Sequence, residues 1–376
     1  MADLLPALRA ARLPLAQASA LPARCYTDPE LYAREVEAIF RREWICIGRE
    51  DQLPSPGDYR SFELLGDPLV AVRGDDGAIR VLSRVCRHRS MPVVEGAGNR
   101  RSFQCPYHLW TYALDGHLIG APDMQRAEGF DRAACRLPAL AVETWKGFVF
   151  ASFDPHAAPL APRLEGLRRA VEPYRPAAMR TCEPLVYEHD WNWKVMVENF
   201  VESYHHQGPH RDTLQPIVPA SGTYAEDTDG PFVVLYNPTK DGAPIPAVFP
   251  ATPDLAPEQR ARFVVGAVFP FHLFTVQQDS LVWYALEPHA VDRFTLRIHL
   301  CTPPESEVDP AHAGKVEALR GFLDTVHRQD ITACTGVQAG LRSRLAQPGR
   351  LSHLEKAIWQ LNQFVLDRTA LEGGSQ

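Results

Sequence analysis

The stretches "CRHRSMPV" (residues 86–93) and "CPYHLWTYALDGHL" (105–118) each place one cysteine and one histidine within four positions, and sixteen residues separate His88 from Cys105. Both sit among turn formers and short apolar runs, so each pair projects from a tight loop of a β-rich region. Two such loops facing each other bring together two thiols, Cys86 and Cys105, and two imidazoles, His88 and His108.

Outward from these loops the pattern stays β. "YRSFELL", "PLVAVRG", "IRVLSRV", "TYALDGHLI" and "GFVFASF" are short alternating or apolar runs split by Gly-Asp, Asp-Asp-Gly and Asp-Gly turns. Upstream, "DPELYAREVEAIFRREW" (28–44) has Leu31, Val36, Ile39 and Phe40 at near-helical spacing behind an Asp-Pro start, which predicts one amphipathic helix. Downstream, "PLAPRLEGLRRAVEPY" (159–174) reads as helix, the runs within 262–302 read as an antiparallel meander, and two helices are expected over roughly 311–341 and 351–370. The expected class is α+β. An N-terminal helical segment (1–43) is expected to pack on the last domain, an all-β domain spans 44–155, and a domain with a curved antiparallel sheet flanked by helices, resembling the helix-grip or START-like type, spans 156–376.

With 376 residues, the chain exceeds one ordinary core and suggests two domains. A net charge of −7, with charges interspersed, argues against nucleic-acid binding, and no run of 18 apolar residues supports a membrane span. Pro6, Pro14 and internal arginines interrupt any signal-peptide core, so a cytoplasmic location is expected. Reduced thiols follow from that location. Cys25, Cys46, Cys135, Cys182, Cys301 and Cys334, lacking any partner spacing, are expected as small buried hydrophobes.

Two thiols and two imidazoles suit either a structural zinc or a [2Fe–2S] cluster. Zinc sites usually pair like ligands, C-x₂-C then H-x₃₋₅-H, whereas here each loop supplies one of each kind. A Rieske cluster requires that mixture, because one iron takes both thiolates and the other both imidazoles.

A second cluster of candidate ligands lies in "MVENFVESYHHQGPH" (196–210). On an unbroken helix His206 and His210 would share a face, but Gly208-Pro209 ends a helix there, and His210 could then fold back towards either His205 or His206. Helix geometry leaves that choice open.

"CRHRSMPV" followed by "CPYHLWTYALDGHL" resembles the cluster-binding segment of the catalytic α subunits of Rieske non-haem iron oxygenases. The resemblance implies that Cys86 and Cys105 hold one iron of a [2Fe–2S] cluster and His88 and His108 the other. His117 falls outside the motif and reads as a surface strand residue. "ENFVESYHHQGPH" resembles the family's segment of an acid, a first iron histidine and a second, which maps Glu202, His205 and His210 and leaves His206 without a ligand role. The third ligand of the mononuclear Fe(II) then comes from a late helix; Asp330 is the choice and Asp324 the reserve. In the family the acid beside the first histidine bridges to a cluster histidine of a neighbouring subunit in a homotrimer. Glu202 in place of the commoner Asp resembles a subgroup that oxidises quaternary ammonium compounds.

The resemblance also implies O₂ as co-substrate, a separate NAD(P)H-dependent reductase and a small-molecule substrate. A cationic substrate would need an aromatic cage, for which Phe269, Phe271, Phe274, Trp283, Tyr284 and Tyr204 are candidates; strand alternation puts only half of the strand residues inward. An aromatic substrate suits the same lining. Two other readings compete with a terminal oxygenase: an electron-transfer protein whose second domain binds a ligand or partner, and a zinc-stabilised binding protein.

Overall fold

Asp28 Oδ1 accepts the Glu30 backbone N–H at 3.0 Å and starts the helix Pro29–Glu35. This helix continues as a π-helical turn over Val36–Phe40, which buries Ile39 and Phe40 completely. The structure, a computed structural model, describes residues 4–371. Its contacts divide it into two units: the described residues of Met1–Arg41 with those of Pro159–Gln376, and Arg42–Ala158.

The unit Arg42–Ala158 is built of three small antiparallel sheets. Its largest runs in the order Ile79–Ser83, Asp67–Arg73, Asp58–Leu64 and Ala97–Asn99. Leu65 and Gly66, both with positive φ (53° and 81°), make the two-residue turn whose twist matches a tight hairpin. Val70, Leu82, Phe103 and Tyr112 form part of its core.

The larger unit centres on an eight-stranded antiparallel sheet. Arg293–Thr302, Ser280–Ala290, His272–Gln277, Arg262–Val268 and Phe232–Pro238 are neighbours in that order, with Leu185–His189 pairing on the outer side of Arg293–Thr302. The register sets Val265 opposite Thr275, Thr275 opposite Val282 and Gln277 opposite Ser280, so these side chains share one face. Both faces are covered, since Phe274 and Trp283 on the opposite face are 0% and 2% exposed.

The late helices form as the sequence predicts, over His312–Leu341 and Lys356–Thr369. The segment 159–174 does not form one helix; it breaks at Leu164 into Leu160–Arg163 and Glu165–Val171, with Pro162 inside the first piece. The cysteines depart in part from expectation. No disulfide joins any of the eight, but Cys46, Cys135 and Cys182 are only half-buried. No helix of the described residues is long and apolar enough to cross a membrane.

Two side-chain pairs fasten the helix His312–Leu341 to Leu185–His189. The Tyr187 hydroxyl donates to Asp324 Oδ1 at 2.7 Å, and His189 Nε2 lies 2.9 Å from His327 Nε2. Burial pushes His189 down to about 3, helped by His327, and pushes His327 down to about 4. Both values lie below the unfolded value of about 6.5, so the unfolded chain binds the extra protons. Stability is therefore full above that value and declines as pH falls from it towards 4. Acidification across this window is expected to remove about 1–3 kcal/mol. Denaturant midpoints against pH check this, and the slope flattens in a His189→Phe/His327→Leu double variant.

Candidate metal centres

The two Cys-His loops of the smaller unit share one backbone form although their spacings differ. Cys86 N–H donates to Met91 O at 2.9 Å and Ser90 N–H to Cys86 O at 3.0 Å; Cys105 N–H donates to Trp110 O at 2.8 Å and Leu109 N–H to Cys105 O at 3.0 Å. Ser90 and Leu109, each four residues after its cysteine, have φ of 58° and 59°. The cysteines are 3% and 1% exposed, whereas His88 is exposed and His108 half-buried. The two imidazole centroids are 4.6 Å apart, and His88 stacks on Trp110 at 4.9 Å. His108 Nδ1 is buried with no hydrogen-bond partner among the described residues. Two thiols inside and two imidazoles outside are the donor set that a cluster with one thiolate-bound and one imidazole-bound iron requires. His117 lies apart on the surface, against Asp115 at 2.5 Å.

In the larger unit the helix Trp193–Phe200 ends eight residues before Gly208, earlier than the Gly-Pro pair predicts. The cause is Glu202. Its Oε2 accepts the His205 backbone N–H at 3.1 Å and its Oε1 lies 2.6 Å from His205 Nδ1, which starts the separate 3₁₀ turn Tyr204–Gln207. A run of turns after Gly208 then folds His210 back.

His205, His210 and Asp330 converge, with one ligating atom from each lying within 4.8 Å of the others. Asp330 Oδ1 is 2.9 Å from His210 Nε2 and 3.7 Å from His205 Nε2. Ligands on one face of a metal lie about 3 Å apart at bond lengths near 2.1 Å, so the set fits an ion. Burial pushes the Asp330 carboxyl up, but the His210 hydrogen bond and the two imidazoles outweigh it and hold it below the usual carboxylate range. His210 is the converse case: burial lowers it, and Asp330 and Gln329 bring it above the usual imidazole value.

Both imidazoles are oriented through Nδ1, His205 by Glu202 and His210 by Gln329 Oε1 at 2.7 Å, so Nε2 is the nitrogen that faces Asp330. Thr213 Oγ1 donates to the same Gln329 oxygen at 2.8 Å, and Asn199 Nδ2 donates to Asp330 Oδ1 at 3.0 Å. Sequence reasoning missed Gln329, Thr213 and Asn199; the only local signal was that Gln329 precedes Asp330. His206 instead points Nδ1 at Val218 O, 3.1 Å away. Asp324, the reserve ligand, is taken by Tyr187 and by Arg328 at 2.8 Å.

A cavity of about 360 Å³ opens beside His205, His210 and Asp330, with aliphatic walls such as Leu214, Ile217, Val265 and Val282. Of the candidate cage aromatics only Tyr284 lines it. Phe269 packs on Phe364, Phe271 on Phe40, and Tyr204 is 48% exposed.

A Rieske-like β unit joined to a helix-and-sheet unit with a two-histidine, one-carboxylate centre defines the class of two-centre iron proteins. Residues 43–144 match the Rieske [2Fe-2S] domain, and residues 176–371 match the catalytic domain of the ring hydroxylating alpha subunit. The chain belongs to the ring-hydroxylating alpha subunit family, and its cofactors are a Rieske [2Fe–2S] cluster and a mononuclear non-haem iron. It is 33% identical over 192 residues to the carnitine monooxygenase oxygenase subunit of Escherichia coli (strain K12), covering 50% of this chain and 51% of that one. It is 34% identical over 200 residues to the benzene 1,2-dioxygenase subunit alpha of Pseudomonas putida, covering 51% and 44%. The chain thus spans about half the length of these relatives. A quaternary ammonium Rieske monooxygenase solved with L-carnitine has a TM-score of 0.77 at 25% identity, covering 94% of this chain and 96% of that one.

Proposed function

We propose that this chain is the terminal oxygenase component of a Rieske non-haem iron system, which uses O₂ and electrons from a separate NAD(P)H-dependent reductase to hydroxylate a small organic substrate. The observation that carries this reading is the convergence of His205, His210 and Asp330 on the wall of an apolar cavity. Cys86, His88, Cys105 and His108 would hold the cluster, which would supply single electrons, and His205, His210 and Asp330 would hold the mononuclear iron, where two imidazoles and one carboxylate would leave positions open for O₂. An electron carrier has no use for that arrangement. The relatives are themselves named as oxygenase or alpha subunits, in keeping with a system of several components.

Cys86 and Cys105 hold one cluster iron in this reading, and His88 and His108 the other. Glu202 is the positioning carboxylate: it fixes the His205 tautomer, and in the resemblance it faces a cluster histidine of a neighbouring subunit of a homotrimer. No disulfide joins any of the eight cysteines, which supports a cytoplasmic home.

The test is O₂ consumption and product formation with a surrogate reductase, scoring formaldehyde release from N-methyl compounds against hydroxylation of aromatic compounds. O₂-dependent product from either arm supports the proposal; reduction of the cluster with no product from either opposes it. The role of Gln329 is tested separately. Gln329→Leu leaves His210 Nδ1 without its acceptor and is expected to weaken mononuclear iron binding about 10–100-fold, read by chelator competition.

A further inference from the structure

A file of rings leads from the metal centre towards the surface. Tyr284 lines the cavity together with His205, His210 and Asp330. His327 sits one turn before Asp330 on the helix His312–Leu341 and meets the Tyr284 ring edge-on, 6.3 Å between centroids. Tyr187 packs against the same imidazole at 4.5 Å. Both spacings are those of packed rings, about 4.5–7 Å. His327 is fully buried and Tyr187 half-buried, so the file runs from the cavity wall to the edge of solvent. A branch continues from Tyr187 across His189 to Trp191, at 5.9 and 4.0 Å.

The fate of a proton separates these rings. A phenol that loses an electron becomes a strong acid, so the electron vacancy settles only where a base stands within hydrogen-bond reach, about 2.6–3.2 Å. Tyr187 has such a base. Its hydroxyl donates to Asp324 Oδ1 at 2.7 Å, and hydrogen bonds from Arg328 and from that hydroxyl hold the Asp324 carboxyl below its usual range. Asp324 is also partly open to solvent, so a proton that it takes can leave to water. Tyr284, by contrast, makes no hydrogen bond among the described residues, and Trp191 Nε1 is buried with no partner among them. An electron taken from Tyr284 is therefore replaced from Tyr187, and the vacancy comes to rest there. The other side chains within reach of an oxidant at this wall are His205, His210 and Asp330 themselves.

We infer that Tyr284, His327 and Tyr187 form an escape route for oxidising equivalents, which spares the metal ligands when a peroxide-class oxidant reaches the mononuclear site with no substrate bound. One electron passes from Tyr187 by way of Tyr284 to the oxidant, which is reduced by one electron. The Tyr187 O–H bond breaks, its proton goes to Asp324, and a neutral phenoxyl radical remains. A soluble thiol or ascorbate then gives up one electron to the radical, and Asp324 or water returns the proton. The oxygenase reading enters only as the source of such an oxidant during turnover.

Hydrogen peroxide added to the iron-loaded protein, with its cluster oxidised and neither substrate nor reductase present, supplies the oxidant directly. Freeze-quenched samples are read by electron paramagnetic resonance, and damage to the metal ligands by peptide mass spectrometry. The wild type is expected to give a tyrosyl radical whose signal narrows when ring-deuterated tyrosine is incorporated. Tyr187→Phe keeps the ring and removes the transferable proton, so the radical is expected to be lost while oxidation of the peptide holding His205 and His210 increases. Asp324→Asn keeps Tyr187 and removes its base, with the same expected loss. No tyrosyl radical in the wild type, a signal of equal size from protein stripped of its mononuclear iron, or a signal undiminished in Tyr187→Phe overturns the inference. The wild-type and iron-stripped samples decide it even if a variant fails to fold. Failure of the oxygenase reading looks different: the radical still forms with peroxide while no product forms with O₂ and reductase.

Discussion

His210→Ala is expected to yield protein that keeps the visible absorption of its iron–sulfur cluster, loses its mononuclear iron and turns over at least about a hundredfold more slowly. His210 is 1% exposed and bound at both nitrogens, Nδ1 by Gln329 and Nε2 by Asp330. Loss of an outer-shell partner typically weakens a site by about 10–100-fold, and loss of a ligand exceeds that. Iron analysis and the visible spectrum, measured on the same sample, separate the two centres. His206→Ala is the control: its ring is spent on Val218 O and lies outside the converging set, so its iron content stays at the wild-type level. Equal iron retention by both variants would move the ligand assignment from His210 to another residue.

The second large effect is on stability. Lys194 and Glu35 form an ion pair at 2.6 Å with side chains 0% and 2% exposed, and Glu35 Oε2 also accepts Trp193 Nε1–H at 2.8 Å. Lys194→Met leaves Glu35 charged and buried without its counter-ion, which is expected to cost about 3–5 kcal/mol. Removing both charges in Lys194→Met/Glu35→Leu is expected to recover much of that, because a buried pair replaced by apolar groups is often near neutral. Denaturant midpoints of the two variants check the ordering. A double variant less stable than Lys194→Met would show that Glu35 matters chiefly through Trp193. This pair ties the helix Pro29–Glu35 to Trp193–Phe200, the helix that carries Asn199 and leads into Glu202 and His205.

What the sequence made legible was local. Cys86, His88, Cys105 and His108 lie on loops whose form is set within six residues of each cysteine, so the motif could be read without the rest of the chain. The late helices were legible from periodicity alone. His210 was different: its position depends on Gln329 and Asp330, some 120 residues away, and helix geometry could not choose between His205 and His206 as its neighbour. Family resemblance supplied the missing long-range information. The end of the helix at Phe200 was misjudged because a side chain, Glu202, starts a new turn before the Gly-Pro pair is reached. Strand alternation says that half of the strand aromatics face inward but not which; the structure puts Tyr284 on the cavity side and Trp283 on the other, and alternation says nothing about Gln277, whose amide is oriented by a carboxylate that a distant loop holds in place.

The account stands on two separate iron environments in one chain, and ⁵⁷Fe Mössbauer spectroscopy of the anaerobically reconstituted protein measures them together. It predicts the paired signals of a cluster with inequivalent irons and, beside them, a high-spin ferrous signal carrying about one third of the iron. A spectrum in which all bound iron belongs to the cluster would contradict it.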